Sequence, residues 1–222
     1  MSRSHAVAFL LALAACSHDD YPDCGTPAAI SVANTDIADG DALALPKGVE
    51  TDMALQVTDA EGDLCDPSGV ALAFDDPGQI EVVSTGEATV LKPRFDAIDL
   101  GAEPTTVLRA TLGDLQASWP VVSVVSLGGA WTVTITEVTR FPNGYTFAGV
   151  SLVQHGRRLA WEDCSVPVVC ARDAVVRDAA FTAEAPDIGL SVTAPVDPDR
   201  ARFAGPWSAK GYMGEFIATR AE

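Results

Sequence analysis

The apolar residues of this chain come in short alternating runs, and a period of two leaves little room for anything but β-strands. Thr51–Thr58 puts Met53, Leu55 and Val57 on one face. Successive strand side chains point to opposite faces, so such a run buries one face and wets the other. Val70–Phe74 alternates again, and Asp75-Asp76-Pro77-Gly78 breaks it. Ile80–Val83, Ala88–Leu91, Thr105–Ala110 and Leu115–Val125 follow between turn residues. With Ala29–Val32 as the first, these make about seven strands at the spacing of a sandwich. Runs of helical period are almost absent, so the expected fold class is all-β.

A second series begins at Leu127-Gly128-Gly129-Ala130-Trp131. It reads as Trp131–Val138, Tyr145–Gln154, Leu159–Cys164, Val168–Arg172, Val175–Ala183, Gly189–Ala194, Ala201–Trp207 and Gly214–Arg220. Eight short antiparallel strands predict a small up-and-down barrel, filled by its own side chains or holding one small ligand. A second β-sandwich is the alternative.

Charge divides the chain at the same place. The whole carries 14 Lys and Arg against 31 Asp and Glu, a formal net charge of −17. Residues 17–126 hold 20 acids and 4 bases, and residues 127–222 hold 11 and 9. A domain boundary near residue 126 is therefore expected. This balance argues against nucleic acid, whose phosphates need Lys and Arg. It argues equally against docking on anionic lipid by charge.

The first residues carry an address. Arg3 precedes the apolar run Ala6–Leu13, which is far too short to span a bilayer but has the form of a signal peptide. Leu13-Ala14-Ala15-Cys16 resembles the lipobox of bacterial lipoproteins. The resemblance implies removal of residues 1–15, lipid on Cys16 and a polar tether over residues 16–26. Ser17, where an aspartate would imply inner-membrane retention in some bacteria, points to the outer membrane. More than one acyl chain gives stable anchoring.

Four cysteines remain in an exported chain: Cys24, Cys65, Cys164 and Cys170. An even number predicts two disulfides. Of three pairings, Cys24–Cys65 with Cys164–Cys170 keeps each bridge within one proposed domain. Zinc is the rival, but no CxxC occurs and His18 and His155 are the only histidines beyond the signal peptide. No metal and no cofactor are expected.

Residues 27–126 resemble the bacterial immunoglobulin-like repeat family, through Ala29-Ile30-Ser31-Val32, Leu55–Gly62 and Thr106–Gly113. That family implies a sandwich acting as a spacer or adhesive module; Lys92–Glu103 is a longer connection than usual there. Residues 127–222 resemble the calycins, which include lipocalins and avidins. The resemblance rests on Gly129-Ala130-Trp131 and on Arg220 in the last strand. It implies a tryptophan packed against a basic residue where the barrel closes.

No Gly-x-Ser-x-Gly elbow is present, and no nucleophile, base and orienting acid can be placed together. No enzyme is expected. Asp59, Glu61, Asp63 and Asp66 could present oxygens to Ca²⁺, but alternating acids between two strands read first as a turn. Trp119, Trp131, Trp161 and Trp207 lie among apolar neighbours and are expected in cores. Tyr145, His155 and Trp161 are the candidates for a ligand at an open barrel mouth. The expected function is a non-enzymatic, envelope-anchored binding or structural module whose partner is the membrane, through lipid, with an envelope protein, a glycan or a small ligand as further partner. A carrier using the barrel interior is the alternative, and an envelope hydrolase the third reading.

Overall fold

The computed structural model describes residues 21, 23–85, 88–137, 141–162 and 173–221. Cys16, Cys164 and Cys170 lie outside these residues, as does the expected strand Val168–Arg172. The chain forms two compact units. Of the described residues, one comprises those up to Arg94 together with Thr105–Val122, and the other Phe95–Pro104 with those from Ser123 on.

The first unit is built of β1 (Pro27–Val32), β2 (Ala38–Asp39), β3 (Ala42–Pro46), β4 (Thr51–Met53), β5 (Leu55–Asp59), β6 (Leu64–Cys65), β7 (Ala71–Phe74), β8 (Ile80–Thr85), β9 (Ala88–Pro93), β10 (Thr105–Leu112) and β11 (Leu115–Val124). They make three sheets, ordered β1-β5-β6, β4-β9-β8 and β2-β3-β11-β10-β7. The inward faces of the alternating runs meet in one core of Leu45, Val57, Leu91, Leu108 and Val121, with Met53 and Ile80 beside them. The Cys24–Cys65 disulfide ties the segment before β1 to β6 across 41 residues, and Cys65 is buried in that core.

Between β9 and β10 the chain leaves this unit. The helix α1 (Ala97–Leu100) is a single turn, started by Asp96 as N-cap and ended by Gly101 in the left-handed region. The Asp96 carboxylate accepts from the Ile98 and Asp99 N–H groups, and Asp99 accepts from Asp96 N–H in return. This reciprocal capping satisfies backbone donors that a helix start leaves open.

The second unit is a closed antiparallel barrel of eight strands in chain order: β12 (Gly129–Glu137), β13 (Phe141–His155), β14 (Arg158–Trp161), β15 (Asp173–Arg177), β16 (Ala180–Ala185), β17 (Leu190–Pro195), β18 (Arg202–Ala209) and β19 (Tyr212–Arg220). Closure comes from β12 pairing with β19, Trp131 opposite Arg220 and Ile135 opposite Phe216. It sets aside a second sandwich for this half of the chain. One expected strand, Val175–Ala183, is in fact a hairpin. Asp178 and Ala179 both have positive φ (45° and 59°), and Val176 pairs with Phe181 across them. That is the backbone of a two-residue primed turn, usually marked by glycine; alanine hides it.

Candidate functional site

The barrel alternates apolar-in and polar-out. Trp131, Val133 and Ile135 of β12 are buried, with Thr132, Thr134 and Thr136 between them. The same holds in β17, where Leu190, Val192 and Ala194 face in, with Ser191 and Thr193 on the other face. Membrane-spanning barrels carry the reverse pattern. The interior is occupied by rings. Trp131 meets Phe203 edge-on at 4.7 Å, Phe203 lies 5.0 Å from Phe181, and Phe181 stacks on Phe216 at 5.6 Å. Trp131, Phe181 and Phe203 are each at most 1 % exposed. Ring pairs at these spacings add to the hydrophobic gain of burial.

Arg220 covers the end of this stack. Its Cζ lies 4.7 Å from the centre of the Trp131 ring. The guanidinium donates to the Gly128 and Ser126 carbonyls, while the Trp131 indole N–H donates to Leu127 C=O at 2.8 Å. Gly129 makes the approach feasible: its φ is +122°, and a Cβ there would stand 3.3 Å from Arg220 Nη1. Both cation–π attraction and carbonyl bonding favour Arg over Lys at this place.

The same barrel end carries the β13–β14, β15–β16 and β17–β18 connections, and the segment 95–104 is bonded to all three. Arg157, after β13, makes a two-pronged ion pair with Glu103, both N···O distances 2.6 Å. Arg157 also donates to Val176 C=O, and Asp178 N–H donates to Glu103. Arg200, before β18, donates to both oxygens of Asp96 and to Asp99 at 2.8 Å. Asp96 is fully buried and the Arg157 side chain nearly so. Hydrogen bonding to Asp96 chiefly, and then to Asp99, holds Arg200 protonated well above its ordinary range. These five charged side chains are matched to one another, which is the condition under which buried charges are tolerated.

The opposite barrel end holds a hollow of about 430 Å³ lined by Thr136, Glu137, Pro206, Trp207, Met213 and Glu215. Trp207 is buried, and its indole N–H donates to Thr136 C=O at 2.8 Å. Gly214 faces that carbonyl so closely that any Cβ would collide with it.

Tyr145, His155 and Trp161 do not converge. Tyr145 is 54 % exposed near the start of β13, and His155 is exposed at its last residue. Ten residues of β13 separate the two. The Trp161 ring points inward, 6.3 Å from Phe181. The acidic run is a turn built on one side chain: the buried Asp59 carboxylate accepts from the N–H groups of Gly25, Glu61 and Asp63. These bonds, Gly25's foremost, hold it below the usual carboxylate range. Asp66 is spent on Ser68, through both its N–H and its hydroxyl. Among the described residues no group of three or more His, Cys, Asp or Glu stands close enough to hold a metal, and no helix is long and apolar enough to cross a membrane.

The residues that sequence reading passed over are Asp96, Glu103, Arg157 and Arg200. The available signal was the capping-box spacing of Asp96 and Asp99 followed by Gly101, inside a connection already too long for a hairpin. Comparison with family models, with characterised proteins and with solved structures gives no match for this chain.

Proposed function

We propose that the chain is a non-enzymatic binding or structural module of the bacterial cell envelope. In this reading residues 1–15 direct export and are removed, and lipid on Cys16 holds the protein to the outer membrane. The first unit is an immunoglobulin-like sandwich serving as a spacer, and the barrel that follows it in the chain is calycin-like. The lipobox-like Leu13-Ala14-Ala15-Cys16 supports the address, and the order of anchor, tether, acidic unit and near-neutral unit supports the layout.

The observation that carries the non-enzymatic, non-carrier reading is the ring stack of Trp131, Phe203, Phe181 and Phe216 inside the barrel. A carrier needs that space for its ligand. The buried charges at the barrel end are consumed by one another, so they hold structure rather than a substrate. Native mass spectrometry of the mature protein, extracted from envelopes in mild detergent, tests this. The expected mass is that of the chain from Cys16 with its lipid. A stoichiometric small molecule released only when the barrel unfolds would overturn the reading in favour of a carrier.

A further inference from the structure

The geometry points to a mechanical role for the Cys24–Cys65 bridge: tension arriving from the N-terminal side crosses it to β6, and β1 is kept out of the load path. This rests on the spacer reading for the source of the tension, and not on what is attached to Cys16. A spacer between an anchor and whatever its far end holds is pulled along its chain. Load from the anchor side enters the first unit through the segment before β1.

β1 is poorly made to receive that load. It is an edge strand, paired with β5 alone in the order β1-β5-β6. Ala28, Ala29 and Ser31 are exposed, and Ile30 and Val32 pack only partly buried against the core. Its first residue, Pro27, brings no N–H to the ladder, and the register is irregular between Pro27 and Ala29. The end that meets the load is therefore the weakest part of the strand. Pulled away from that end, the pair opens one rung at a time, and each rung faces the load alone.

The bridge changes the path. Cys65 lies on β6, on the far side of β5 from β1, opposite Val57, and it is buried in the same core as Val57 and Leu45. Tension that reaches Cys24 passes through the disulfide to this core residue and on toward Asp66. Residues 25–64 then form a closed loop that cannot be drawn out while the bond holds. Asp59 adds a second clasp at the same place. Its carboxylate accepts from Gly25 N–H at 2.8 Å and from the Glu61 and Asp63 N–H groups of the β5–β6 turn. A covalent bond and a charge-assisted hydrogen bond thus fasten the entry of the chain to that turn, while β1 itself is held only as an edge.

Optical tweezers on the purified mature chain, unlipidated through Cys16→Ser, test this apart from the envelope reading. In one geometry the handles are on the two chain ends. In the other the N-terminal handle moves to the exposed Pro77, in the turn after β7 and beyond the bridge. Each is measured with the bridge and with Cys24→Ser plus Cys65→Ser. An intact bridge is recognised by a first-unit opening shorter by the contour of residues 25–64, about 140 Å. Pulled by its ends, the bridged protein should show no event below that opening. The unbridged protein should show an early step at lower force, releasing residues 24–32, about 30 Å of contour. The step should stop there, because the Asn34 amide holds Asp52 C=O and Ala54 N–H. Pulled from Pro77, the unbridged protein should lack the early step. The inference is overturned if the unbridged protein pulled by its ends opens without the early step, or if the step appears in the bridged protein or from Pro77. An unbridged protein with no first-unit opening at all overturns it too, since the bridge would then serve folding and not load.

Discussion

Arg220 and Trp131 sit opposite each other across the seam of the barrel, the guanidinium Cζ 4.7 Å from the indole centre. Closure of a sheet removes its two unpaired edges, and this pair stands where the last edge meets the first. The backbone agrees with the side chains: Ala221 N–H donates to Ala130 C=O one step past the pair. Trp131→Ala should therefore destabilise the second unit by about 3–5 kcal/mol, as for a buried aromatic. Arg220→Ala should cost less, because its head is only partly desolvated. In a double-mutant cycle by urea unfolding the pair should show coupling of about 0.5–3 kcal/mol. Additive losses would mean that the contact is incidental.

Asp96 and Arg200 lock the segment 95–104 to the barrel end. Removing one partner of a buried ion pair leaves the other charge uncompensated and costs about 3–5 kcal/mol. Arg200→Ala should fall in that range and should speed amide hydrogen exchange at Ile98 and Asp99, which the Asp96 carboxylate caps. Asp96→Asn together with Arg200→Met should recover much of the loss, since no charge then stays buried alone. An Arg200→Ala variant as stable as wild type would show that the pair is not holding the segment.

Asp59 gives a pH dependence. Its carboxylate is held below the ordinary range by backbone N–H donors, Gly25's first. A group with a lowered folded pKa stabilises fully above its unfolded value, about 4, and that contribution is lost as pH falls through the folded value. Unfolding midpoints measured between about pH 6 and pH 2 should thus drop on the acid side in the wild type. Asp59→Asn should be less stable near neutrality and show a shallower acid limb. Parallel curves for the two proteins would contradict this account of the turn.

Much of this architecture was legible. The alternation that buries Trp131, Val133 and Ile135 and leaves the threonines between them half-buried on the other face is plain in Thr132-Val133-Thr134-Ile135-Thr136, because strand period is a local property. The Trp131–Arg220 contact was implied by the resemblance that Gly129-Ala130-Trp131 and Arg220 carry, and barrel closure, which sets the first strand beside the last, agrees with it. What escaped lacked a local mark. The β15–β16 turn uses Asp178-Ala179, where positive φ is borne without glycine. The short strand β3 is buried from Leu43 to Pro46, so it shows no alternation to read. The Asp96–Arg200 and Glu103–Arg157 pairs join residues 104 and 54 positions apart, and no spacing rule reaches so far. Tyr145, His155 and Trp161 were grouped by chemistry, whereas the length of β13 and the inward turn of Trp161 separate them. Trp119 was expected in a core, and it packs against that of the first unit.

The Cys24–Cys65 bridge closes a loop of 41 residues, for which chain entropy gives a stabilisation of about 4 kcal/mol. Cys24→Ser with Cys65→Ser should lower the stability of the first unit by up to that amount and leave the barrel's unfolding midpoint in place. Non-reducing peptide mapping should also recover Cys164 joined to Cys170. Four free thiols in the exported protein would contradict both expectations.

In the proposed reading lipid on Cys16 holds the protein to the envelope, and metabolic labelling reads that lipid out. Cells grown with a radioactive fatty acid should label the wild-type protein, which should sediment with the outer membrane. Cys16→Ser should carry no label. Equal labelling of the two proteins, or an unlabelled wild type found free of membrane, would contradict the account.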